Sequence, residues 1–188
     1  LDGGGLQLLA DLNIGEATAT DGRAVVVGSG GGVLDTNSHN STISKTISGA
    51  GTFTKQGDGT LTLTANNAGL TGGVTVDKGT LSISNDNNLG SPSARLTLKD
   101  GTTLETTQEV SLLSRELTLS SGNVTLQQHT NNVILGQKVT GSGHLVKEGS
   151  GVLTLDGVND FSGGVNVNAG QVTVSKDSSL GSGTATFA

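Results

Sequence analysis

The three histidines are the residues of this 188-residue sequence best suited to acid–base chemistry, and they stand far apart as His39, His129 and His144. Serine-hydrolase catalysis requires a serine, a histidine and a carboxylate that converge in space. Neither a Gly-Asp-Ser-Gly nor a Gly-x-Ser-x-Gly motif occurs in the chain. His144 also replaces Thr52 of an earlier, similar stretch. We therefore expect a solvated or purely structural position there rather than a catalytic one.

Aspartates offer a second chemistry, because paired carboxylates hydrolyse glycosides and acidic turns bind calcium. Most of the aspartates lie where we expect turns. The aspartates at expected turns are Asp58, Asp77, Asp86, Asp100, Asp156, Asp160 and Asp177. The expected strand faces carry threonine, serine and asparagine instead, and the calcium-binding pattern Gly-Gly-x-Gly-x-Asp is absent. We therefore expect no enzymatic activity, no metal site and no other cofactor.

A short apolar run followed by glycines, residues 24–32, resembles a strand that enters a dinucleotide-binding loop. The full fingerprint would need a glycine in place of Val33 and a helix afterwards. Residues 141–147 likewise lack the Gly-Lys-Ser/Thr ending of a phosphate-binding loop. We interpret the first segment as a corner between two strands, and the second as no phosphate site.

Composition narrows the classes of partner, because the net charge is −6, aromatic residues make up 2% and cysteine is absent. Nucleic acid requires a basic footprint, and single strands also need aromatic stacking platforms, so we expect no nucleic-acid partner. The lack of cysteine excludes disulfides and thiolate metal sites. The longest apolar run, residues 24–27, is too short to cross a bilayer, and no signal peptide is visible. We interpret the chain as an internal fragment of a longer protein.

The stretch 47–84 organises the elements that carry these residues. Strict alternation in Thr60-Leu61-Thr62-Leu63-Thr64 predicts a strand with its leucines on one face and its threonines on the other. Two further short strands, 74–76 and 80–84, follow after Gly72-Gly73 and around the turn at Gly79. No helical periodicity occurs among the three strands. The pattern therefore predicts an all-β fold.

This stretch recurs at 139–175, and the shared positions are turn glycines, a lysine and inward aliphatic residues. The first copy has Gly49, Gly51, Lys55, Gly57, Gly59, Leu61, Leu63, Gly72, Gly73 and Gly79. The second has Gly141, Gly143, Lys147, Gly149, Gly151, Leu153, Leu155, Gly163, Gly164 and Gly170. Outward positions vary between the copies, which is typical of a structural repeat rather than of a repeated active site. We divide the chain into two similar units, 1–96 and 97–188.

Strand centres follow one another at about 20 to 22 residues, the length of one coil of a parallel β-helix. The series is Thr62, Ser82, Leu104, Thr125, Leu145, Asn166 and Thr186. About nine such coils, each adding about 4.8 Å, would form a rod on the order of 40 Å long. Residues 10–23 remain ambiguous: Leu12 and Ile14 suit a strand, whereas 16–20 suits a loop.

Polar residues of the repeat have expected positions of their own. We expect Lys55 and Lys147 to be solvated or paired with nearby acids. Asparagine tolerates the left-handed backbone conformation of tight turns. We therefore expect Asn67, Asn132 and Asn159 at corners of that kind.

Both copies fit the pattern SGxGxxxKxGxGxLTL followed by GGVxVxxGxLxV. In this pattern the chain resembles the autotransporter-associated β-strand repeat, also called the passenger-associated transport repeat. The resemblance implies a right-handed parallel β-helix in the secreted passenger of a type V autotransporter of a Gram-negative bacterium. The family usually has an aromatic residue before the Gly-Gly pair. The second copy keeps it as Phe161, whereas the first has Gly69-Leu70, which we interpret as lost packing.

Two function classes remain, with a glycan-active enzyme a distant third. The first is a structural passenger segment that stacks coil by coil, promotes export and forms a stalk. The second is an adhesive surface of outward Thr/Asn rows and the loops 85–93 and 127–132. The resemblance implies as partners the protein's own outer-membrane β-barrel translocator and neighbouring passenger coils. A host surface or a further copy of the protein would be the ligand of an adhesin. The resemblance also implies that the protein is located at the cell surface, where a domain outside this chain anchors it in the outer membrane.

Overall fold

A computed structural model describes residues 1–15 and 24–188 of the chain. These residues form short β-strands and two 3₁₀ helices, Asp86–Leu89 and Asp177–Leu180. The strands are β1 Gly4–Gln7, β2 Asn13–Ile14, β3 Val25–Val26, β4 Gly32–Asp35, β5 Ser41–Ile43, β6 Ile47–Ser48, β7 Phe53–Gln56, β8 Thr60–Leu63, β9 Val74–Val76, β10 Thr80–Ile83, β11 Leu96–Leu98, β12 Thr103–Thr106, β13 Val110–Leu112, β14 Leu117–Leu119, β15 Asn123–Gln127, β16 Val133–Leu135, β17 Val139–Gly141, β18 His144–Glu148, β19 Val152–Leu155, β20 Val165–Val167, β21 Gln171–Val174 and β22 Ala185–Phe187.

The strands form a parallel β-solenoid in which each full coil visits three faces in turn. Face 1 is a seven-stranded sheet in the order β1-β4-β7-β9-β11-β14-β17. Face 2 is a nine-stranded sheet in the order β2-β5-β8-β10-β12-β15-β18-β20-β22. Face 3 holds the pair β3-β6 and the sheet β13-β16-β19-β21. This arrangement confirms the predicted all-β parallel solenoid, and nine strands on face 2 delimit about eight turns.

The register between coils shows the predicted period. Successive strands of face 2 from β8 to β22 are offset by 20 to 23 residues. The offset between β1 and β4 is larger, because Gly4 pairs with Gly32, 28 residues later. Residues 16–20, which suited a loop, lie outside the described residues. Of the two positions that suited a strand, Ile14 lies in β2 and Leu12 directly precedes this strand.

The interior is a column of aliphatic side chains supplied by alternate strand positions. Leu61 and Leu63 are fully buried, whereas Thr60 and Thr62 beside them are partly exposed, as the alternation predicts. Directly stacked leucines, such as Leu61 on Leu81 and Leu81 on Leu104, continue this core from coil to coil. One coil cannot cover its own apolar side chains along the rod axis, so their burial depends on the neighbouring coils.

The glycine-rich segment 24–32 forms β3, a turn and the start of β4, so it is a corner as expected. The predicted division at 96/97 falls inside β11, and faces 1 and 2 continue through it. Within residues 1–15 and 24–188, no helix is long and apolar enough to span a membrane.

Candidate functional site

The repeated glycines occupy two kinds of position at the corners. Eight adopt positive φ angles, and these are Gly49, Gly57, Gly73, Gly79, Gly141, Gly149, Gly164 and Gly170. The other six repeated glycines, Gly51, Gly59, Gly72, Gly143, Gly151 and Gly163, lie against the adjacent coil. A Cβ atom on Gly51 would lie 1.8 Å from the Gly28 carbonyl oxygen, which no side chain tolerates. The repeated glycines therefore mark positions where the backbone turns or where two coils are in close contact.

Each of the two repeated lysines has its ammonium enclosed by a cage of oxygen acceptors inside the solenoid. The prediction that these lysines are solvated or paired with acids was wrong. Lys55 is fully buried at the end of β7. Its ammonium donates to the carbonyl oxygens of Gly57 at 2.6 Å, Lys78 at 2.9 Å and Gln56 at 3.1 Å. A fourth acceptor is the Thr36 hydroxyl at 3.0 Å. These acceptors lie in three consecutive coils, so one side chain ties the three together.

Lys147 repeats the arrangement at the end of β18 and is also fully buried. Its ammonium donates to the carbonyl oxygens of Gly149 at 2.6 Å, Glu148 at 3.1 Å and Ala169 at 3.1 Å. Gln128 takes the place that Thr36 has in the first copy. A turn whose carbonyls point inward needs an internal donor, and in both copies the lysine provides it.

Burial acts on the acid–base behaviour of both lysines. It lowers the pKa of Lys55 to about 8, because removing the ammonium from water disfavours its charged form. The carboxylates of Asp35 and Asp58 act in the opposite direction. Burial also lowers the pKa of Lys147, and the charge of Glu148 partly offsets this.

A shallow groove of about 300 Å³ lies outside the Lys55 cage. Its lining includes three carboxylates, those of Asp35, Asp58 and Asp77. The sequence analysis found no such acidic groove. Each carboxylate has a partner: Asp35 accepts from the Asn37 N–H at 2.7 Å, Asp58 pairs with Lys78 at 3.0 Å, and Asp77 pairs with Lys99. In the described part of the chain, no three His, Cys, Asp or Glu side chains are arranged to hold a metal ion.

Asn67 and Asn159 bridge coils instead of adopting the predicted left-handed conformation. The Asn67 carboxamide accepts from the Ile47 N–H at 2.7 Å in one neighbouring coil and donates to the Asn88 carbonyl at 2.7 Å in the other. Asn159 does the same, accepting from the Val139 N–H at 2.8 Å and donating to the Ser179 carbonyl at 2.6 Å.

Asn132 differs from these two in making a single bridge, because it accepts from the Val152 N–H at 3.0 Å. None of the three predicted asparagines has a positive φ angle. Among the described non-glycine residues, the positive φ angles belong to Asn37 and His129. These two occupy the same position of the repeat, 92 residues apart. The left-handed corner therefore lies at Asn37 and His129 and not at the predicted asparagines.

Leu70 corrects the expectation of lost packing in the first copy. Leu70 and Phe161 occupy equivalent positions and both are fully buried. The glycine one coil further on packs against each of them, Gly90 on Leu70 and Gly181 on Phe161. A leucine therefore fills this corner where the second copy has an aromatic ring.

Arg115 is a structural residue that the sequence analysis missed. Its side chain is fully buried, and its Nε donates to the Asp86 carboxylate at 2.7 Å. The two terminal nitrogens donate to four backbone carbonyls, those of Leu89, Ala94, Asp86 and Gly90. The predicted polar loop 85–93 is thus held from inside by one guanidinium. The residue 92 positions earlier in the sequence is also an arginine, Arg23, and this recurrence is the signal that could have marked Arg115.

The histidines do not converge within the described coils. His129 contacts Glu105 at 2.9 Å, and His39 contacts Asp11 at 3.4 Å, both near the surface. His144 begins β18 with its side chain partly exposed. These contacts join neighbouring coils and form no catalytic constellation with a serine.

The outward surface of face 1 is a set of columns parallel to the rod axis. One column is made of threonines aligned in register: Thr54, Thr75, Thr97, Thr118 and Thr140. Beside it, salt bridges join Arg95 to Glu116 at 2.7 Å and Lys138 to Asp160 at 2.5 Å. Each pair connects two successive coils. The exposed polar groups therefore favour the same register as the core.

Comparison with known proteins finds the same repeat. Residues 53–83 and 145–174 match the family described as Passenger-associated-transport-repeat. The chain is 30% identical over 150 residues to the "Adhesin BmaC autotransporter" of Brucella suis biovar 1 (strain 1330). That alignment covers 79% of this chain and 4% of the relative, so the chain spans a small part of the relative's length. No solved structure matches the chain significantly.

Proposed function

We propose that this chain, a parallel β-solenoid with two passenger-associated transport repeats, is a segment of the exported passenger of an autotransporter. Its role is to fold coil by coil outside the outer membrane and to form a rigid stalk that presents other regions. The proposed partners are the protein's own β-barrel translocator and the adjoining passenger coils. The proposed location is the surface of a Gram-negative cell.

The observation that carries this proposal is that coils complete one another's interior hydrogen bonds. Asn67 contacts one preceding and one following coil, and the Lys55 ammonium likewise contacts three coils. Each arriving coil therefore buries polar groups of the previous coil and supplies their hydrogen-bond partners at the same time. Retreat of a docked coil would lose these hydrogen bonds together with the apolar burial, so it is unfavourable. This bias would favour outward movement of the chain without any other energy source.

The test removes one coil without shifting the register. Deletion of residues 53–73 joins Thr52 to Val74, which lies directly above Phe53 on face 1. Deletion of residues 117–138 joins Glu116 to Val139 in the same way and lies outside both matched repeats. Each deletion is placed in a passenger between a secretion signal and a β-barrel translocator, and passenger exposure on intact cells is quantified.

We expect both deletions to fold, and the first to reduce exposure more than the second. Equal exposure for both deletions and the parent would contradict an export role for the repeat. Binding per exposed molecule, measured on matrix proteins and glycans, separates export from adhesion.

Adhesion is the second candidate, because the curated relative is an adhesin autotransporter. Its surface would be the threonine column of face 1 and the loops 85–93 and 127–132. If exposure is unchanged and binding per molecule falls, the repeat is a ligand site. We also propose that the segment is not an enzyme, since its groove carboxylates are already paired. Hydrolysis of any glycan by the purified chain would refute this.

A further inference from the structure

Two buried oxygen atoms at the corner between faces 2 and 3 have no hydrogen-bond partner among residues 1–15 and 24–188. They are the Thr106 hydroxyl oxygen and the Gln128 carboxamide oxygen, and both residues are fully buried. They occupy neighbouring coils, because Glu105 pairs with Gln127 and the two residues in question follow directly. The Gln128 nitrogen is engaged, since it donates to the Val152 carbonyl at 3.2 Å.

In the described part of the chain, the equivalent corner of the first copy has no such unpaired oxygen. Thr36 stands there in the position of Gln128, donates to the Gln56 carbonyl at 3.0 Å and accepts from Lys55 at 3.0 Å. In the second copy the three N–H groups of Lys147 already have three carbonyl acceptors. Among the described residues, the Gln128 oxygen accepts no hydrogen bond from the lysine, whereas the Thr36 hydroxyl does.

We propose that this corner holds one internal water molecule shared by Thr106 and Gln128. The water accepts from the Thr106 hydroxyl and donates to the Gln128 oxygen. Buried waters in proteins serve groups of this kind and make two to four hydrogen bonds. A metal cation is disfavoured, because the Lys147 ammonium occupies the next coil of the same corner.

The direction in which a Thr106→Val substitution changes the melting temperature tests the proposal. Valine has the shape of threonine but lacks the hydroxyl. If the Thr106 hydroxyl has no partner, its removal leaves no hydrogen bond broken, and the melting temperature should rise or stay constant. A hydroxyl bound to water loses a hydrogen bond instead, and we expect a decrease of about 2–4 °C. Thr102→Val is the matched control, because Thr102 is also fully buried and donates directly to the Lys99 carbonyl at 2.6 Å. We expect the two variants to shift in the same direction, and a rise or no change for Thr106→Val overturns the proposal.

A second measurement tests that the water is shared. Combined with Gln128→Met, the Thr106→Val substitution should lower the melting temperature by less than the sum of the separate decreases. Strict additivity would contradict a common water. A high-resolution crystal structure of the 188-residue chain should show a water within hydrogen-bonding distance of both oxygens. Its absence, or contact with only one oxygen, would overturn the proposal even if the variants fold poorly.

Discussion

Lys55 and Lys147 occupy the same position of the repeat but lie on different faces of the solenoid. Lys55 is the penultimate residue of β7 on face 1, whereas Lys147, 92 residues later, is the penultimate residue of β18 on face 2. Coils on face 1 between β4 and β17 measure 21 or 22 residues, so the repeat exceeds four coils by one face. The second copy is therefore turned by one face around the rod axis relative to the first.

Replacing Lys55 by methionine should destabilise the chain, because the carbonyls of Gly57 and Lys78 lose their donor. The relief of ammonium burial offsets part of this loss. We expect a net decrease of about 1–3 kcal/mol in the free energy of unfolding at pH 7, measured by urea titration. Lys78→Met is the control: its exposed ion pair with Asp58 should contribute less than about 1 kcal/mol. Equal effects of the two substitutions would contradict the cage.

The pKa of about 8 for Lys55 in the folded chain, against an ordinary value of 10.5, predicts a pH dependence. Between these values the unfolded chain binds more protons than the folded chain, so stability rises with pH. The wild type should gain up to about 3 kcal/mol over Lys55→Met between pH 8 and 10.5. Urea titrations of both proteins at pH 7, 9 and 10.5 measure this difference. If the difference in free energy of unfolding between the wild type and Lys55→Met instead decreases as pH rises, the folded chain favours the charged form of Lys55 and the prediction is wrong.

Substitution of Arg115 by alanine should release the segment around the helix Asp86–Leu89. The variant loses five hydrogen bonds and leaves the Asp86 carboxylate without its partner. We expect a loss of about 3–5 kcal/mol and faster proteolysis within residues 85–95. Arg95→Ala removes an exposed pair with Glu116 and should change stability by less than about 1 kcal/mol. Similar proteolysis of both variants would argue against the internal anchor.

Leu61→Asp should disrupt the solenoid, because it places an unpaired charge in a fully buried position between Ser41 and Leu81. We expect a loss of roughly 4 kcal/mol or more, seen as a large decrease of the circular-dichroism melting temperature. Thr62→Asp, one residue further on the outward side, is the control and should melt near the parent. An unchanged melt for Leu61→Asp would refute the inward assignment.

Asn67→Ala removes two hydrogen bonds that join three coils, and it leaves the Ile47 N–H buried and unpaired. We expect a decrease of about 2–3 kcal/mol. Asn66→Ala is the control, because its exposed side chain bonds only within its own turn, to the Ala68 N–H. Hydrogen exchange at Ile47 should accelerate in the first variant alone. No difference between the variants in this exchange would contradict the bridge.

The parts of the fold that repeat every coil were predictable, because alternation and glycine spacing depend only on the local backbone. Leu61 and Leu63 show this, since their neighbours in sequence define the inward face. The partner of Lys55 was not predictable, because its acceptors are backbone carbonyls and carry no side-chain signature. Arg115 was missed for a related reason: four of its five acceptors are backbone carbonyls, which carry no side-chain signature.

The parallel pairing of the coils has a mechanical consequence. The interstrand hydrogen bonds between successive coils lie along the rod axis, so a pull along that axis loads the interfaces in series. A chain loaded in this way yields at its weakest interface, and its breaking force does not grow with the number of coils. Each coil released should lengthen the molecule by roughly 70 Å, from about 21 residues at about 3.4 Å each. Such a rod limits the force that it transmits between its two ends. When the force falls, the released coil can fold back onto its neighbour.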